Sequence, residues 1–160
     1  MDREALLIEV GAAFKAVRKP SQSEIAPHEC LECDELRVAF APYESMNIPE
    51  KILEKHRWDM PLLSDEAKQY YLSAWLTKST EEPESDYTDA ILSALGADHR
   101  WQPATPYTDR QWRLLDAYLE FIASNCNQFD LEHVVQAQLK LEERSPNNAF
   151  KRLRAKTHAP

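Results

Sequence analysis

The sequence predicts an all-α fold, an irregular single-domain bundle of about seven helices. Only two of its 160 residues are glycine, whereas tight β-hairpins and bulges require glycine at positive φ. The ten prolines fall outside the periodic apolar segments, where residues that break helices belong. Inside those segments the apolar residues recur at helical spacing.

Three helices are predicted in the first part of the chain. Over residues 2–18 the apolar residues follow one another at intervals of three or four, which indicates an amphipathic helix. A second helix is expected over residues 29–40. Pro49 suits the first turn of a short third helix that extends to His56, because its missing N–H costs nothing there.

Cap residues locate the next helices. Ser64, followed by Asp65 and Glu66, indicates an N-cap with acids in the first turn. Asp86 is expected to cap a helix that ends at Leu95, with Gly96 as its stop. The polar segment from Thr77 to Thr88 between these helices is predicted to be an exposed loop. Its acidic residues are Glu81, Glu82, Glu84 and Asp86.

The last third of the chain holds the strongest apolar stripe. Thr108 and Gln111 form a capping-box pattern ahead of it, and the helix is expected to extend to Cys126. Asp130 is expected to cap a further helix, and Ser145-Pro146 to start a last short one. The helix after Asp130 is expected to run through Leu131, Val134, Val135 and Leu139. We expect one helical domain over residues 1–160, with a short basic tail at about 151–160.

Composition places the chain among cytoplasmic globular proteins. Its apolar fraction is 43% and its charged fraction 29%, which favours neither disorder nor a membrane protein. The chain begins with an acidic segment where a secretory signal needs basic residues. Its three cysteines fit a reducing compartment. We therefore expect a cytoplasmic protein that is not bound to a membrane.

The charge distribution points to the kind of partner. The formal net charge is −8, which disfavours nonspecific nucleic-acid binding because phosphate contacts need a basic face. Residues 140–160 carry six Lys and Arg against two Glu, so the preceding body is more acidic than the whole chain. We expect the basic tail to pack on the protein's own acidic surface, near residues 81–89 or 29–35, with binding of an external polyanion as the alternative.

Several catalytic motifs are missing from the sequence. Two isolated glycines cannot form the glycine-rich phosphate loops of nucleotide-binding proteins. The segment from His28 to Glu32 lacks the second histidine of a zinc-protease helix. An enzyme of unknown class nevertheless stays open, because helical folds support catalysis and spatial clusters are invisible in a sequence.

A cysteine motif raises the question of a metal. His28, Cys30 and Cys33 could supply three ligands to one zinc ion. The first alternative is that both cysteines lie on the buried stripe with Phe40 and act as small hydrophobic residues. The second alternative is a redox pair, although no strand precedes the motif as in thioredoxin-type units.

The four tryptophans fall into two groups. Trp75 and Trp112 lie on apolar helix stripes and are predicted to be core residues. Trp58 and Trp101 lie in connections beside arginines and are the candidates for partner binding.

Three segments carry a resemblance to other proteins. They are Cys-x-Glu-Cys at residues 30–33, Leu-Ser-x-Glu-Ala-x-x-Tyr-Tyr-Leu at residues 63–72, and the Gln-containing amphipathic helix that follows Tyr107. In these features, over about residues 28–123, the chain resembles a group of small uncharacterised bacterial proteins. The resemblance implies a bacterial cytoplasmic protein and assigns no catalytic residue.

The leading functional interpretation is a noncatalytic protein-binding module, of the immunity type that neutralises a basic bacterial toxin. An acidic body raises the rate of association with a basic partner, while a few aromatic anchors supply affinity. The predicted binding residues are Trp58, Trp101, Glu81, Glu82, Glu84 and Asp86. The alternatives are a zinc-binding helical protein that uses His28, Cys30 and Cys33, and a helical enzyme of unknown class. The leading interpretation requires no cofactor.

Overall fold

The computed structural model describes residues 1–97, 103, 105–127 and 131–145. These ranges contain seven α-helices and no β-strand, which confirms the all-α prediction. The helices are α1 (Arg3–Phe14), α2 (Leu31–Phe40), α3 (Glu50–Lys55), α4 (Asp65–Glu81), α5 (Asp86–Gly96), α6 (Asp109–Asn125) and α7 (Leu131–Arg144). Short 3₁₀ turns lie at Gln22–Glu24, Ser45–Asn47 and Met60–Leu62.

Helix α4 is the central element of the bundle. Helices α1, α5 and α6 contact it, and α7 packs against α5 and α6. Because α4 has neighbours on several sides, it buries residues around most of its circumference, including the whole run from Tyr70 to Leu76. None of the helices in the described ranges combines the length and the apolar character that a membrane crossing requires.

An aromatic cluster joins α2 to α4. The ring of Phe40 stacks on Trp75 at a centroid distance of 5.9 Å and meets Tyr71 edge-on at 5.2 Å. All three side chains are at most 1% exposed. Aromatic rings in such edge-on and offset contacts stabilise a fold by more than the area that they bury. Trp112 is also buried, which confirms the prediction that Trp75 and Trp112 are core residues.

The predicted caps of α4 and α6 are confirmed. The Ser64 hydroxyl accepts a hydrogen bond from the Ala67 N–H at 3.1 Å. At α6 the Thr108 hydroxyl accepts from the Gln111 N–H at 3.2 Å, and the Gln111 side chain accepts from the Thr108 N–H at 2.9 Å. Each bond satisfies an N–H that has no partner inside its helix.

The prediction of an exposed loop over Thr77–Thr88 is wrong for most of its length. Helix α4 continues to Glu81, and α5 begins at Asp86 with Ser85 as its N-cap, so Asp86 is not the cap. Ser79 and Thr80 are completely buried. Both hydroxyls are hydrogen-bonded: Thr80 Oγ1 donates to the Leu76 carbonyl at 2.7 Å, and Ser79 Oγ bonds to Thr88 Oγ1. Because their hydroxyls are satisfied, these polar residues are tolerated in the core.

The ends of two further helices differ from prediction. Helix α1 ends at Phe14 rather than at residue 18, and a turn follows in which the Val17 N–H donates to the Phe14 carbonyl. Gly96 is the last residue of α5 rather than a stop beyond its end. Helix α7 runs through the residues predicted for it, of which Leu131, Val135 and Leu139 are exposed. The buried residues there are Val134, Ala137 and Leu141, whose i, i+3, i+7 spacing faces α5 and α6.

Several predictions fall outside the described residues. These are the Asp130 cap, the helix start at Pro146, the surface role of Trp101 and the packing of the basic tail at 151–160. Ser145 itself is described: it is buried, and its N–H donates to the Leu141 carbonyl just after α7.

Candidate protein-binding surface

Trp58 lies in a connection whose backbone and neighbours are firmly held. Its indole is 50% exposed. On one side, the Arg57 carbonyl accepts a hydrogen bond from Trp75 Nε1 at 2.9 Å. The buried His56 packs edge-on against Phe40 at 5.7 Å, and its Nδ1 lies 2.8 Å from Asp59 Oδ2. Trp58 is therefore an exposed aromatic residue on a rigid support, which keeps the entropic cost of binding low.

Arg57 connects this segment to the start of α5. Its Nε donates to Asp86 Oδ2 at 2.6 Å, and its Nη1 donates to the Glu54 carbonyl at 2.8 Å. The ion pair spans 29 residues of sequence. It brings Trp58 and the acidic segment before α5, two independent sequence predictions, to the same side of the molecule.

An acidic groove lies on one side of this ion pair. It has a volume of about 300 Å³ and is formed by α3, the end of α4 and the start of α5. Four carboxylates line it, together with two cations and one phenol: Glu50, Glu54, Glu82, Asp86, Arg57, Lys78 and Tyr87. Lys78 Nζ lies 3.0 Å from Glu50 Oε1 and 3.2 Å from Glu81 Oε2, and the bond to Glu50 raises the pKa of Lys78.

A wider cleft opens between α5 and α7, with Trp58 at its edge. Its volume is about 550 Å³, and its lining is mixed apolar and polar: Trp58, Asp89, Leu92, Ser93, Gly96, Ala97, His133 and Gln136. The exposed side of α5, with Asp86, Asp89 and Ser93, separates the cleft from the groove. We call the groove, the cleft and this strip of α5 the Trp58 surface.

Counted over the described residues, the charge of the Trp58 surface is negative even after its internal ion pairs are taken into account. From residue 78 to residue 89 the chain carries five carboxylates and one lysine. Of the groove's two cations, Arg57 pairs with Asp86 and Lys78 with Glu50 and Glu81. Among the described residues, Glu54 and Glu82 have no cation partner, so they add negative charge to the groove, which is the charge pattern that attracts a cation.

The structure places most of the predicted binding residues on or beside this surface. Trp58, Glu82 and Asp86 lie on it, Glu81 pairs with Lys78 at its border, and Glu84 is exposed in the turn between α4 and α5. Trp101 lies outside the described residues. Glu50 and Glu54 were missed, although their i, i+4 spacing on a short helix is a signal that could have identified them.

The cysteine motif is described as well. Cys30 is the N-cap of α2, and its Sγ accepts from the Cys33 N–H at 3.4 Å. Burial raises the pKa of the Cys33 thiol, and the hydrogen bond with Cys30 adds to the rise. Cys33 is thus a buried hydrophobic residue as one interpretation held, whereas Cys30 is half-buried and the His28 side chain is exposed.

The zinc alternative stays a prediction. Among the described residues no group of three or more His, Cys, Asp or Glu side chains is arranged to hold a metal ion. The His28 carbonyl accepts a hydrogen bond from Arg37 Nη2 at 2.5 Å, which fixes the backbone ahead of the motif without bringing the imidazole to the thiols.

In comparisons with known proteins, no family model, no curated protein and no solved structure matches this chain. The functional interpretation therefore depends on the chemistry of the Trp58 surface.

Proposed function

We propose that this protein is a noncatalytic binding module whose Trp58 surface takes a basic protein partner. The observation that carries the proposal is the position of Trp58, half-exposed on a rigid support at the edge of the cleft, while the adjacent Arg57 lines the acidic groove. Tryptophan is enriched among the few interface residues that supply most of the binding energy. Because the backbone beside Trp58 is already held before binding, less freedom is lost when a partner covers the indole.

The carboxylates of the Trp58 surface set the chemistry of the partner. An acidic surface steers a basic protein into encounter and can raise the association rate by about 10- to 1000-fold at low salt. The same carboxylates repel acidic proteins, so they also contribute to specificity. The partner should present Lys or Arg residues around an apolar or planar group that covers the indole.

The proposal extends to an immunity role, in which the partner is a basic toxin and binding covers its active surface. Toxins that act on nucleic acid need a basic face to hold phosphate. A carboxylate-lined groove beside an aromatic anchor is complementary to such a face, and no reaction by the inhibitor is required. The acidic charge of the whole chain supports the same interpretation.

The first experiment tests the charge component. The intact protein is used to capture partners from its native host at low salt, and each captured protein is then purified and its association rate measured. A double variant Glu54→Gln/Glu82→Gln removes two carboxylates of the groove, and Glu4→Gln/Glu120→Gln removes two exposed carboxylates elsewhere. We expect a basic partner whose association slows about tenfold with the groove variant and less than about twofold with the control.

Two results would contradict the proposal. One is that no stoichiometric basic partner is recovered at low salt. The other is that both double variants slow association equally, because this would show that only the net charge of the protein matters and that the groove has no special role.

A further inference from the structure

The first turn of α2 holds two cysteines that the proposed function does not use. Cys30 is the N-cap of the helix, and Cys33 is the third residue inside it. Side chains three residues apart are neighbours on a helix. The Cys30 Sγ accepts a hydrogen bond from the Cys33 N–H at 3.4 Å, and the two thiols also hydrogen-bond to each other. The fold therefore holds both sulfurs side by side.

Solvent reaches the two cysteines unequally. Cys33 is completely buried. Cys30 is half-buried, and its neighbours in the chain, Glu29 and Leu31, are both exposed. An accessible thiol beside a shielded one is the arrangement in which the first attacks a reagent and the second resolves the product.

Arg37 fixes the backbone that leads into the cysteine pair. Its Nε and Nη2 donate to the Ala26 carbonyl at 3.2 and 2.7 Å, and its Nη2 also donates to the His28 carbonyl at 2.5 Å. Arg37 lies about one turn beyond Cys33 in the same helix. These bonds therefore tie the segment before Cys30 to the helix that carries Cys33. Groups that are held together before a reaction lose little further freedom when they join.

We propose that Cys30 and Cys33 form a reversible dithiol–disulfide pair that is oxidised by small disulfide molecules. The Cys30 thiolate attacks one sulfur of the molecule, whose S–S bond breaks, so that a mixed disulfide forms and one thiolate leaves. The Cys33 thiolate then attacks the Cys30 sulfur and displaces the second thiolate. Two electrons pass from the protein to the small molecule, and the two protons that the cysteines lose end on the two released thiols.

Closure of the pair needs little movement of the chain. An S–S bond is about 2.0 Å long, and the two thiols are already in contact before the reaction. An excess of reducing thiol reverses both steps, so the pair responds to the redox state of its surroundings. This chemistry is separate from the proposed binding at the Trp58 surface and needs no protein partner.

The test uses the full chain with Cys126→Ser, which leaves only the two cysteines of the pair. The oxidant is hydroxyethyl disulfide, which is small and uncharged, and a chelator is present so that no metal ion holds the thiols. The remaining thiols are then labelled with a maleimide and the intact mass is measured. We expect a product without maleimide and without attached mercaptoethanol, and dithiothreitol should restore both labels.

Single variants test the order of the two attacks. Cys33→Ser should retain mercaptoethanol as a stable mixed disulfide at Cys30, because no second thiol displaces it. Cys30→Ser should react at least about tenfold more slowly, because its remaining thiol is buried. Should Cys33→Ser fail to fold, Cys33→Ala replaces it. The matched control is Cys30→Ser/Cys33→Ser, which keeps the half-buried Cys126 alone and should lose its label only by gaining mercaptoethanol.

Unfolding tests whether the fold prepares the pair. The equilibrium constant for closure is measured for the folded chain and for the chain unfolded in urea. We expect it to be at least about tenfold larger in the folded chain, because only there are the two sulfurs held together.

Three results would overturn the proposal. The first is that the folded protein keeps both thiols, or carries mercaptoethanol on both, when the oxidant is in excess. The second is that closure is no more favourable in the folded chain than in urea. The third is that Cys30→Ser reacts as fast as the variant at position 33, because this would show that Cys30 is not the attacking thiol.

Discussion

Three buried hydroxyls connect α4, α5 and α6 and give a sharp prediction about stability. Ser79 Oγ lies 2.5 Å from Tyr118 Oη and 2.6 Å from Thr88 Oγ1, and all three residues are at most 2% exposed. Burial raises the pKa of Tyr118, so its hydroxyl stays protonated and available as a donor. Ser79 is the shared partner, and its removal should cost more than removal of either neighbour.

The magnitudes follow from counting the hydrogen bonds that each variant removes. Tyr118→Phe leaves Ser79 paired with Thr88, so it should cost about 1 kcal/mol. Ser79→Ala removes both bonds of the Ser79 hydroxyl and leaves Tyr118 and Thr88 with each other as partners, so it should cost about 2 kcal/mol. At about 3 °C per kcal/mol for a chain of this size, the losses in Tm are about 3 °C and 6 °C.

The assay is urea unfolding of the single variants Ser79→Ala, Thr88→Val and Tyr118→Phe and of the triple variant. The triple variant removes every polar group of the network, so it should cost less than the sum of the single variants. The reasoning would be refuted if Ser79→Ala cost no more than Tyr118→Phe, or if the triple variant cost the full sum.

Three further predictions concern single sites. Thr108→Ala removes the hydroxyl that caps α6 and should lower the unfolding free energy by about 1 kcal/mol, measured by urea unfolding; an unchanged midpoint would contradict this role. Gly11→Ala should raise it by about 1 kcal/mol, because the new methyl meets open space; a lower Tm would show a clash. Arg18 lowers the pKa of Glu24 to about 2. This pair therefore stabilises the protein above about pH 5 and loses its effect as the pH falls toward 2. The difference in Tm between the parent and Glu24→Gln should shrink over that range, and a constant difference would contradict the pairing.

The sequence predicted the elements whose signals are local. The caps at Ser64 and Thr108 involve residues three positions apart, and both form as expected. The segment from Thr77 to Thr88 was misjudged because its polar residues suggest solvent. The burial of Ser79 is tolerated because Thr88 and Tyr118, 9 and 39 residues away, supply partners for its hydroxyl. A pairing of that kind has no signature in the local sequence.

In the candidate binding surface, too, local signals could be predicted from the sequence and contacts between distant residues could not. Trp58 and the acidic segment could be identified separately, one as an aromatic residue in a connection and the other by its charge. That the two lie on the same side of the molecule is shown by the ion pair between Arg57 and Asp86, which are 29 residues apart and meet only in the folded chain.

The most direct test of the binding surface is the Kd of the complex with the captured basic partner, for the parent and for two variants. Trp58→Ala removes the proposed anchor, and Leu31→Ala removes an exposed hydrophobic side chain on α2. Loss of an interface anchor costs about 2 kcal/mol or more, so Trp58→Ala should raise the Kd at least about 30-fold. Leu31→Ala should change it less than about threefold. Equal Kd values for the parent and Trp58→Ala would contradict the proposal that the partner binds at the Trp58 surface.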